Sequence, residues 1–169
     1  LAVDGIGIKA AKRWGRSNNI NRISIQGAGN LGTRMRRQFL ETKLYTTCSN
    51  QAKAPIIIIG SDLPTLTTLD LIQAVEILSH KEMVLGPSSD GGYWLIGLSK
   101  KLLNPVSIWP FSGINWGTNK VLKQTTQLAK QNKINYQLIR EQNDVDNLKD
   151  LSPWINHKKS PLSALSFQL

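Results

Sequence analysis

The chain has 169 residues, of which 40% are hydrophobic and 19% charged, and this is the composition of one globular domain. No apolar run approaches the ~20 residues of a membrane span, and the N-terminus lacks a secretory signal pattern. A single cysteine, Cys48, excludes an internal disulfide and favours a reducing cytoplasm. Lys and Arg number 21 against 11 Asp and Glu, and the resulting net charge of +10 favours anionic partners such as nucleotides or phosphosugars.

The basic residues concentrate in three stretches, 9–16, 34–43 and 120–133, with spacings typical of solvated helix faces. Surfaces for nucleic acid usually interleave cations with aromatic side chains that stack on bases. The aromatic residues within the first two stretches are Trp14 and Phe39, and Phe39 lies on the apolar face of its predicted helix. The pattern therefore argues against a nucleic-acid surface.

Hydrophobic periodicity predicts helices and strands in alternation along most of the chain. In chain order, the predicted elements are helix 8–16, strand 22–26, helix 30–44, strand 55–59, helix 67–79, strand 83–85, strand 93–98, helix 115–131, strand 135–140 and a short helix 147–155. A polar loop is predicted over 45–54, and a frayed tail from His157. This order indicates an α/β domain with a mostly parallel sheet.

The strand Ile56 to Ile59 ends in Gly60-Ser61-Asp62-Leu63-Pro64. Ligands of open α/β sheets collect outside the carboxyl ends of strands, so Asp62 is a candidate ligand for a hard divalent cation. The structural alternative is an Asx turn, in which Asp62 bonds the backbone ahead of Pro64.

A second strand, Met83 to Leu85, runs through Gly86-Pro87 to Asp90-Gly91-Gly92. Asp-Gly is a common turn dipeptide, so a turn alone would account for Asp90. The two glycines also clear side chains from the place where Asp90 would meet a ligand. We expect the strands before Asp62 and Asp90 to be parallel neighbours, which would place both carboxylates in one cleft.

A third acidic segment, Asp144-Val145-Asp146, has the form of a carboxylate pair with Val145 turned inward. Asp146 is also well placed to cap the predicted helix 147–155, so both interpretations stay open.

The segment from Gln26 to Gly32 is rich in glycine and matches a dinucleotide fingerprint by letter. No acidic residue ends a following strand at the required distance, so we discount the match. The backbone N–H groups at the start of the following helix remain a candidate anion site.

With these residues in view, the chain resembles a known family. It is similar to the DUF2064 group of glycosyltransferase-A-fold proteins, which includes arsenosugar biosynthesis glycosyltransferases and radical SAM/selenodomain-associated transferases. Around the D-L-P and D-G-G loops it is also similar to 2-phospho-L-lactate guanylyltransferase and to molybdenum-cofactor nucleotidyltransferases. The motifs that carry the resemblance lie in order between Asp4 and Trp154, and they are QGAGNLGTRMRR (26–37), GSDLP (60–64), GP and DGGY (86–93), INW (114–116) and DVD with DL (144–151).

The resemblance implies a three-layer α/β fold of the nucleotide-diphospho-sugar transferase type, which is Rossmann-like, over residues 1–155, with 156–169 as a tail. Family members begin with a strand and a basic loop that ends in a K-T-R-L-like motif. We therefore expect this chain to be N-terminally truncated relative to them, to expose an apolar strand edge, and to self-associate through it.

The resemblance also implies a cytoplasmic enzyme that transfers a sugar from a nucleoside diphosphate sugar to a small acceptor, with Mg²⁺ or Mn²⁺. The alternatives are nucleotidyl transfer from a nucleoside triphosphate, and a non-catalytic remnant that binds anions or nucleic acid. No membrane partner is expected. The implied roles are metal ligation by Asp62 and Asp146, catalysis by Asp90 and Asp144, and substrate binding by Gly91, Gly92, Tyr93 and Trp116.

Overall fold

A computed structural model describes residues 1–47 and 54–145. The elements are, in chain order, β1 (Ala2–Val3), α1 (Ile8–Ser17), β2 (Ser24–Ile25), α2 (Leu31–Thr47), β3 (Ile56–Ile59), α3 (Thr68–His80), β4 (Met83–Pro87), β5 (Tyr93–Leu98), a 3-10 turn (Val106–Ile108), α4 (Val121–Gln131) and β6 (Tyr136–Leu138). The predicted helix 147–155, the tail and Cys48 lie outside the described residues. The alternation of helices and strands confirms the predicted α/β class.

The strands form a four-stranded sheet in the order β3-β5-β4-β6 and a separate parallel pair, β1-β2. β4 pairs with β6 in parallel, whereas β5 is antiparallel to both β3 and β4. Three of the four strands in the larger sheet therefore run in one direction, as predicted.

The prediction that the strands before Asp62 and Asp90 are neighbours is wrong, because β5 lies between β3 and β4. The reason is the short connection after β4. Ser88 and Gly92 close a tight turn through the Ser88 N–H and the Gly92 carbonyl, 3.1 Å apart. So short a link can only return the chain antiparallel to the strand that it leaves.

The core lies on both faces of the four-stranded sheet, which makes the domain three-layered. On one face Phe39 of α2 and Ala129 of α4 pack with Met83 and Leu85. On the other face the apolar side of α3, with Ala74, Ile77 and Leu78, covers Val84 and Leu95. Alternate residues of β4 point to opposite faces, so one short strand contributes to both layers.

Helix α3 begins with a capping interaction that the sequence predicts. The hydroxyl and the backbone N–H of Thr67 each donate to the Asp70 carboxylate at 2.8 Å. These bonds engage donors at the helix start and fix where α3 begins, close to the carboxyl end of β3.

Helix α4 begins at Val121, six residues later than predicted. The preceding residues are held by tertiary contacts: Gly117 has a left-handed backbone (φ +78°), and Trp116 packs against Gly32. A helix across this segment would withdraw the indole from that contact. Within residues 1–47 and 54–145, no helix combines the length and the apolar character needed to cross a bilayer.

Candidate functional site

Hydrogen bonds join the loops that follow β3, β4 and β6 at one edge of the sheet. The Val145 N–H donates to the Asp62 carbonyl at 3.0 Å, and the Gln142 N–H donates to the Pro87 carbonyl at 3.1 Å. Ser88 and Gln142 also form an isolated parallel bridge. The three predicted acidic segments therefore emerge at the same edge, although their strands are not all neighbours.

Asp62 presents an exposed carboxylate directly after β3. The Gly60 N–H donates to the Trp94 carbonyl at 2.9 Å, which extends the β3–β5 pairing up to the turn. A side chain at position 60 would come within 3.0 Å of the Asp62 carboxylate, so the glycine leaves that space open. Among the described residues, the Asp62 carboxylate accepts no hydrogen bond of the kind that an Asx turn requires.

Asp144 is half-buried and accepts a hydrogen bond from the Ser88 hydroxyl at 3.1 Å. Because Ser88 is itself buried and bridged to Gln142, this bond holds one oxygen of Asp144 in place. Among the described residues, no hydrogen bond engages the other carboxylate oxygen.

Asp90 is exposed, and its carboxylate accepts a bond of 2.8 Å from the Gly92 N–H. This is the turn that Asp-Gly dipeptides form, so the structural role of Asp90 is present. The Asx turn engages one carboxylate oxygen, and the second oxygen accepts no hydrogen bond among the described residues.

Gly91 is required by packing. Its φ is +87°, and a Cβ there would lie 2.2 Å from the Asn119 carbonyl oxygen. The Gly91 carbonyl accepts a bond of 2.9 Å from the Leu122 N–H at the start of α4. Gly91 therefore couples the hairpin that carries Asp90 to helix α4.

The two aromatic rings predicted to bind substrate contact each other edge to face, with the centroids of Tyr93 and Trp116 6.4 Å apart. The Tyr93 hydroxyl and the Trp116 indole N–H are both buried; the hydroxyl lies near the Thr125 hydroxyl, and the indole N–H has no hydrogen-bond partner among the described residues. Burial raises the pKa of the Tyr93 phenol well above its usual range. Trp116 also covers Gly32 of α2, so both rings pack the loop before α4 against α2 and β5.

Sequence reasoning missed the polar residues that hold the three loops together. The Thr65 hydroxyl donates to the Gln142 side-chain carbonyl at 2.7 Å, across the gap between the loops after β3 and β6. Gln142 is 4% exposed, and its amide nitrogen has no partner among the described residues. Neither residue belongs to an acidic or glycine-rich motif, so nothing in the local pattern singles them out.

An ion pair between the buried Asp70 and the half-exposed Arg140 supports the same loops. Arg140, directly after β6, donates to the Asp70 carboxylate and to the Thr65 carbonyl, the latter at 2.9 Å. The Arg140 guanidinium is the largest cause that holds the pKa of Asp70 far below its usual range, and the two bonds from Thr67 add to it. Asp70 thus joins α3 to the end of β6 as well as capping the helix.

Two arginines of α2 bind the carbonyl groups of the glycine-rich segment. Arg37 donates to the carbonyls of Gln26 and Ala28, and Arg34 donates to the Gly29 carbonyl at 2.8 Å. Side-chain cations therefore occupy the loop's carbonyl face, and Asn30 accepts from the Thr33 N–H at the helix start. These contacts account for the glycines in this segment, so no bound dinucleotide is needed to explain them.

The predicted metal ligands are only partly described. Asp146 lies outside the described residues, and within 1–47 and 54–145 no three His, Cys, Asp or Glu side chains group as a metal site requires. Carboxylate oxygens at this edge, among them those of Asp62 and Asp144, are ligands that Mg²⁺ and Mn²⁺ prefer.

The family is settled by comparison with known proteins. The family described as "Uncharacterized protein conserved in bacteria (DUF2064)" matches residues 1–118. The chain belongs to the DUF2064 family. No curated protein matches it.

The fold is shared with a crystal structure from Desulfovibrio desulfuricans G20, which is named a "putative nucleotide-diphospho-sugar transferase". The TM-score is 0.75 at 23% identity, over 98% of this chain and 71% of that chain. At this identity the likeness establishes the fold, which agrees with the fold that the sequence resemblance implies.

Proposed function

We propose that this protein is a glycosyltransferase-like enzyme that moves a sugar from a nucleoside diphosphate sugar to a small acceptor. The observation that carries the proposal is the hydrogen-bonded meeting of three strand-end loops, bearing Asp62, Asp90 and Asp144, at one edge of the sheet. Proteins of this layered architecture collect ligands at that edge. The name of the D. desulfuricans structure supports a nucleotide sugar as donor.

The proposed metal is Mg²⁺ or Mn²⁺, held by Asp62 and by Asp146. When bound, it would neutralise the negative charge that grows on the departing diphosphate. The Asp62 carboxylate suits this role because it is exposed and unbonded among the described residues. The net charge of +10 favours the approach of an anionic donor.

Two further carboxylates, each held by a hydrogen bond, are proposed to carry out the other steps of the reaction. Asp144 is proposed to accept the proton of the acceptor hydroxyl as the new glycosidic bond forms. Its bond to Ser88 orients it for that step. Asp90, held by Gly92, is proposed to orient donor or acceptor through its second carboxylate oxygen.

A comparison of Asp62→Asn with Glu76→Gln tests the proposal. Both substitutions remove one negative charge, but Glu76 is exposed on α3 and lies outside the site. The amide keeps the size of the side chain and loses the charge that a hard dication requires. We expect Asp62→Asn to lower release of nucleoside diphosphate from a nucleotide-sugar panel by about 100-fold at limiting Mn²⁺. Glu76→Gln should retain wild-type turnover.

Other outcomes separate the alternatives. Near-normal turnover by Asp62→Asn would contradict the metal assignment. Release of pyrophosphate from a nucleoside triphosphate would identify nucleotidyl transfer instead. Binding of polyanions with a steep salt dependence and no turnover would identify a non-catalytic protein.

A further inference from the structure

The side of α3 that points away from the sheet carries exposed aliphatic side chains. Leu69 is 74% exposed, Ile72 48% and Val75 49%. Because they are three residues apart, they lie next to one another on one side of the helix, while the opposite side covers the four-stranded sheet. We call Leu69, Ile72 and Val75 the α3 apolar face. Contiguous exposed apolar residues of this kind mark surfaces that bind another protein.

Helix α3 also differs from the other helices in charge. Each of α1, α2 and α4 contains at least two Lys or Arg residues, whereas α3 contains none. Its acidic residues are Asp70, which is buried, and Glu76. A chain with a net charge of +10 repels its own copies wherever cations would face one another. The α3 apolar face is therefore a surface on which two copies can meet without that repulsion.

The spacing of the α3 apolar face makes it self-complementary. Leu69 lies three residues before Ile72, and Val75 lies three residues after it. When two such helices pack antiparallel about a two-fold axis at Ile72, Leu69 of each copy meets Val75 of the other, and the two Ile72 side chains meet on the axis. Glu76 then lies about 12 Å along the axis from its symmetry-related copy, where solvent and salt screen the repulsion.

We propose that the α3 apolar face binds the same face of a second copy of this chain, as an antiparallel helix pair with two-fold symmetry. The equal spacing on either side of Ile72 and the absence of cations from α3 identify a second copy as the occupant. Helices pack at axis separations of about 8–10 Å, which brings the aliphatic side chains of the two copies into contact. Three such side chains per copy make a small interface, so we expect a weak dimer with a dissociation constant of about 10–100 μM.

This pairing places the second copy beside the loop that carries Asp62. Thr65, in that loop, lies seven residues before Ile72, and Ser79 lies seven residues after it. In the antiparallel pair, Ser79 of each copy therefore lies next to Thr65 of the other. Since Thr65 also bonds Gln142, each copy supports the strand-end loops of its partner. The pairing does not depend on which reaction the candidate site performs.

The first test measures dimerisation of the full chain by sedimentation equilibrium. Ile72→Lys sets two cations opposite each other on the axis and should weaken dimerisation at least about 30-fold. Gln73→Lys is the matched control, because it adds the same charge to an exposed neighbour about 100° around the helix, and it should weaken dimerisation less than about threefold. Both variants are made in the Ile59→Lys chain, which suppresses association through the edge of β3. Circular dichroism should be the same for all of them.

The second test is disulfide cross-linking in a chain that carries Cys48→Ser. Ile72→Cys lies on the two-fold axis and should cross-link to the second copy, and Gln73→Cys should cross-link at least about tenfold more slowly. Equal cross-linking at the two positions, or equal effects of the two lysines, would overturn the proposal. A chain that stays monomeric at every concentration would also overturn it. In that case, slow labelling of the Ile72→Cys thiol would show that this chain covers its own α3, and fast labelling would leave the face to a different protein.

Discussion

Two regions of the molecule differ in how completely their strands are paired and covered. β4 and β5 each have a neighbour on both sides, and every residue of β4 is buried although the strand contains Gly86 and Pro87. β3 consists of four isoleucines, yet only Ile56 is buried and Ile59 is 40% exposed. Burial therefore follows neighbours and covering layers rather than the hydrophobicity of the strand itself. We call the region of β4 and β5, with β6 at its edge, the closed half, and the region of β1, β2 and β3 the open half.

The largest expected difference is in stability. Leu85→Ala removes a fully buried side chain from the closed half, and we expect a loss of about 3 kcal/mol in the free energy of unfolding. Ile59→Ala truncates a side chain that is 40% exposed in the open half, and it should cost less than about 1 kcal/mol. Urea unfolding of the two variants measures both. Equal losses would mean that the open half is as well packed as the closed half.

A glycine pair tests how tightly the closed half holds its hairpin. Gly91→Ala places a methyl group 2.2 Å from the Asn119 carbonyl oxygen at a φ of +87°, so we expect a loss of about 2–3 kcal/mol. Gly113 has a similar φ of +76° and open space around it, so Gly113→Ala should cost only about 1 kcal/mol. Thermal unfolding gives the difference between the two variants, which isolates the contact with Asn119. Indistinguishable losses would show that the start of α4 moves aside without cost.

The Asp70–Arg140 pair predicts how the stability of the closed half depends on pH. The folded-state pKa of Asp70 lies below its unfolded value of about 4, so its stabilising contribution is present above pH 4 and is lost as pH falls below it. Because Arg140 is 48% exposed and solvent screens the pair, Asp70→Asn should lower the free energy of unfolding by only about 1 kcal/mol at pH 7, and the gap from wild type should narrow below pH 4. Denaturant titrations from pH 7 to pH 2 measure this. A gap that stays constant with pH would contradict the pairing.

The smallest expected effect concerns self-association through the open half. An unpaired apolar edge promotes pairing between chains, and a lysine on that edge opposes it. Ile59→Lys should weaken self-association of the 169-residue chain by roughly fivefold, about 1 kcal/mol. Sedimentation velocity over a wide concentration range gives the comparison, with Ile59→Ala as control. A wild-type chain that stays monomeric at every concentration would contradict the prediction.

Local sequence patterns correctly predicted the helices and strands whose ends are fixed by contacts between residues near each other in the sequence. The helix predicted over 67–79 is observed at Thr68–His80, and the strand 93–98 is observed as β5. Their ends are marked by a capping pair and by an Asp-Gly turn, which act over three or four residues. The start of α4 was misplaced because Trp116 is held by Gly32, 84 positions away in the chain.

At the candidate site, the acidic residues could be predicted from the sequence. The polar residues that hold their loops in place could not be predicted. Asp62 and Asp90 stand out because they follow apolar strands, and Asp144 stands out because it belongs to a carboxylate pair. Ser88, Thr65 and Gln142 are ordinary polar residues in the sequence, and their role depends on loops that only the folded sheet brings together. The roles of Asp62, Asp90, Asp144 and Asp146 in catalysis or metal binding stay predictions.

By itself, the sequence determined the α/β alternation, the strand ends that carry carboxylates, and the family, since these depend on residue types within short segments. Tertiary structure alone decided that β5 lies between β3 and β4, that Tyr93 and Trp116 are packed against one another, and that an open cleft separates β1 from β3. The residues of an apolar strand that is buried on both faces do not determine which strand pairs with it, because any apolar strand would bury the same kind of surface. The choice is made by connection length, by the polar bonds between loops, and by which edges are left to pair.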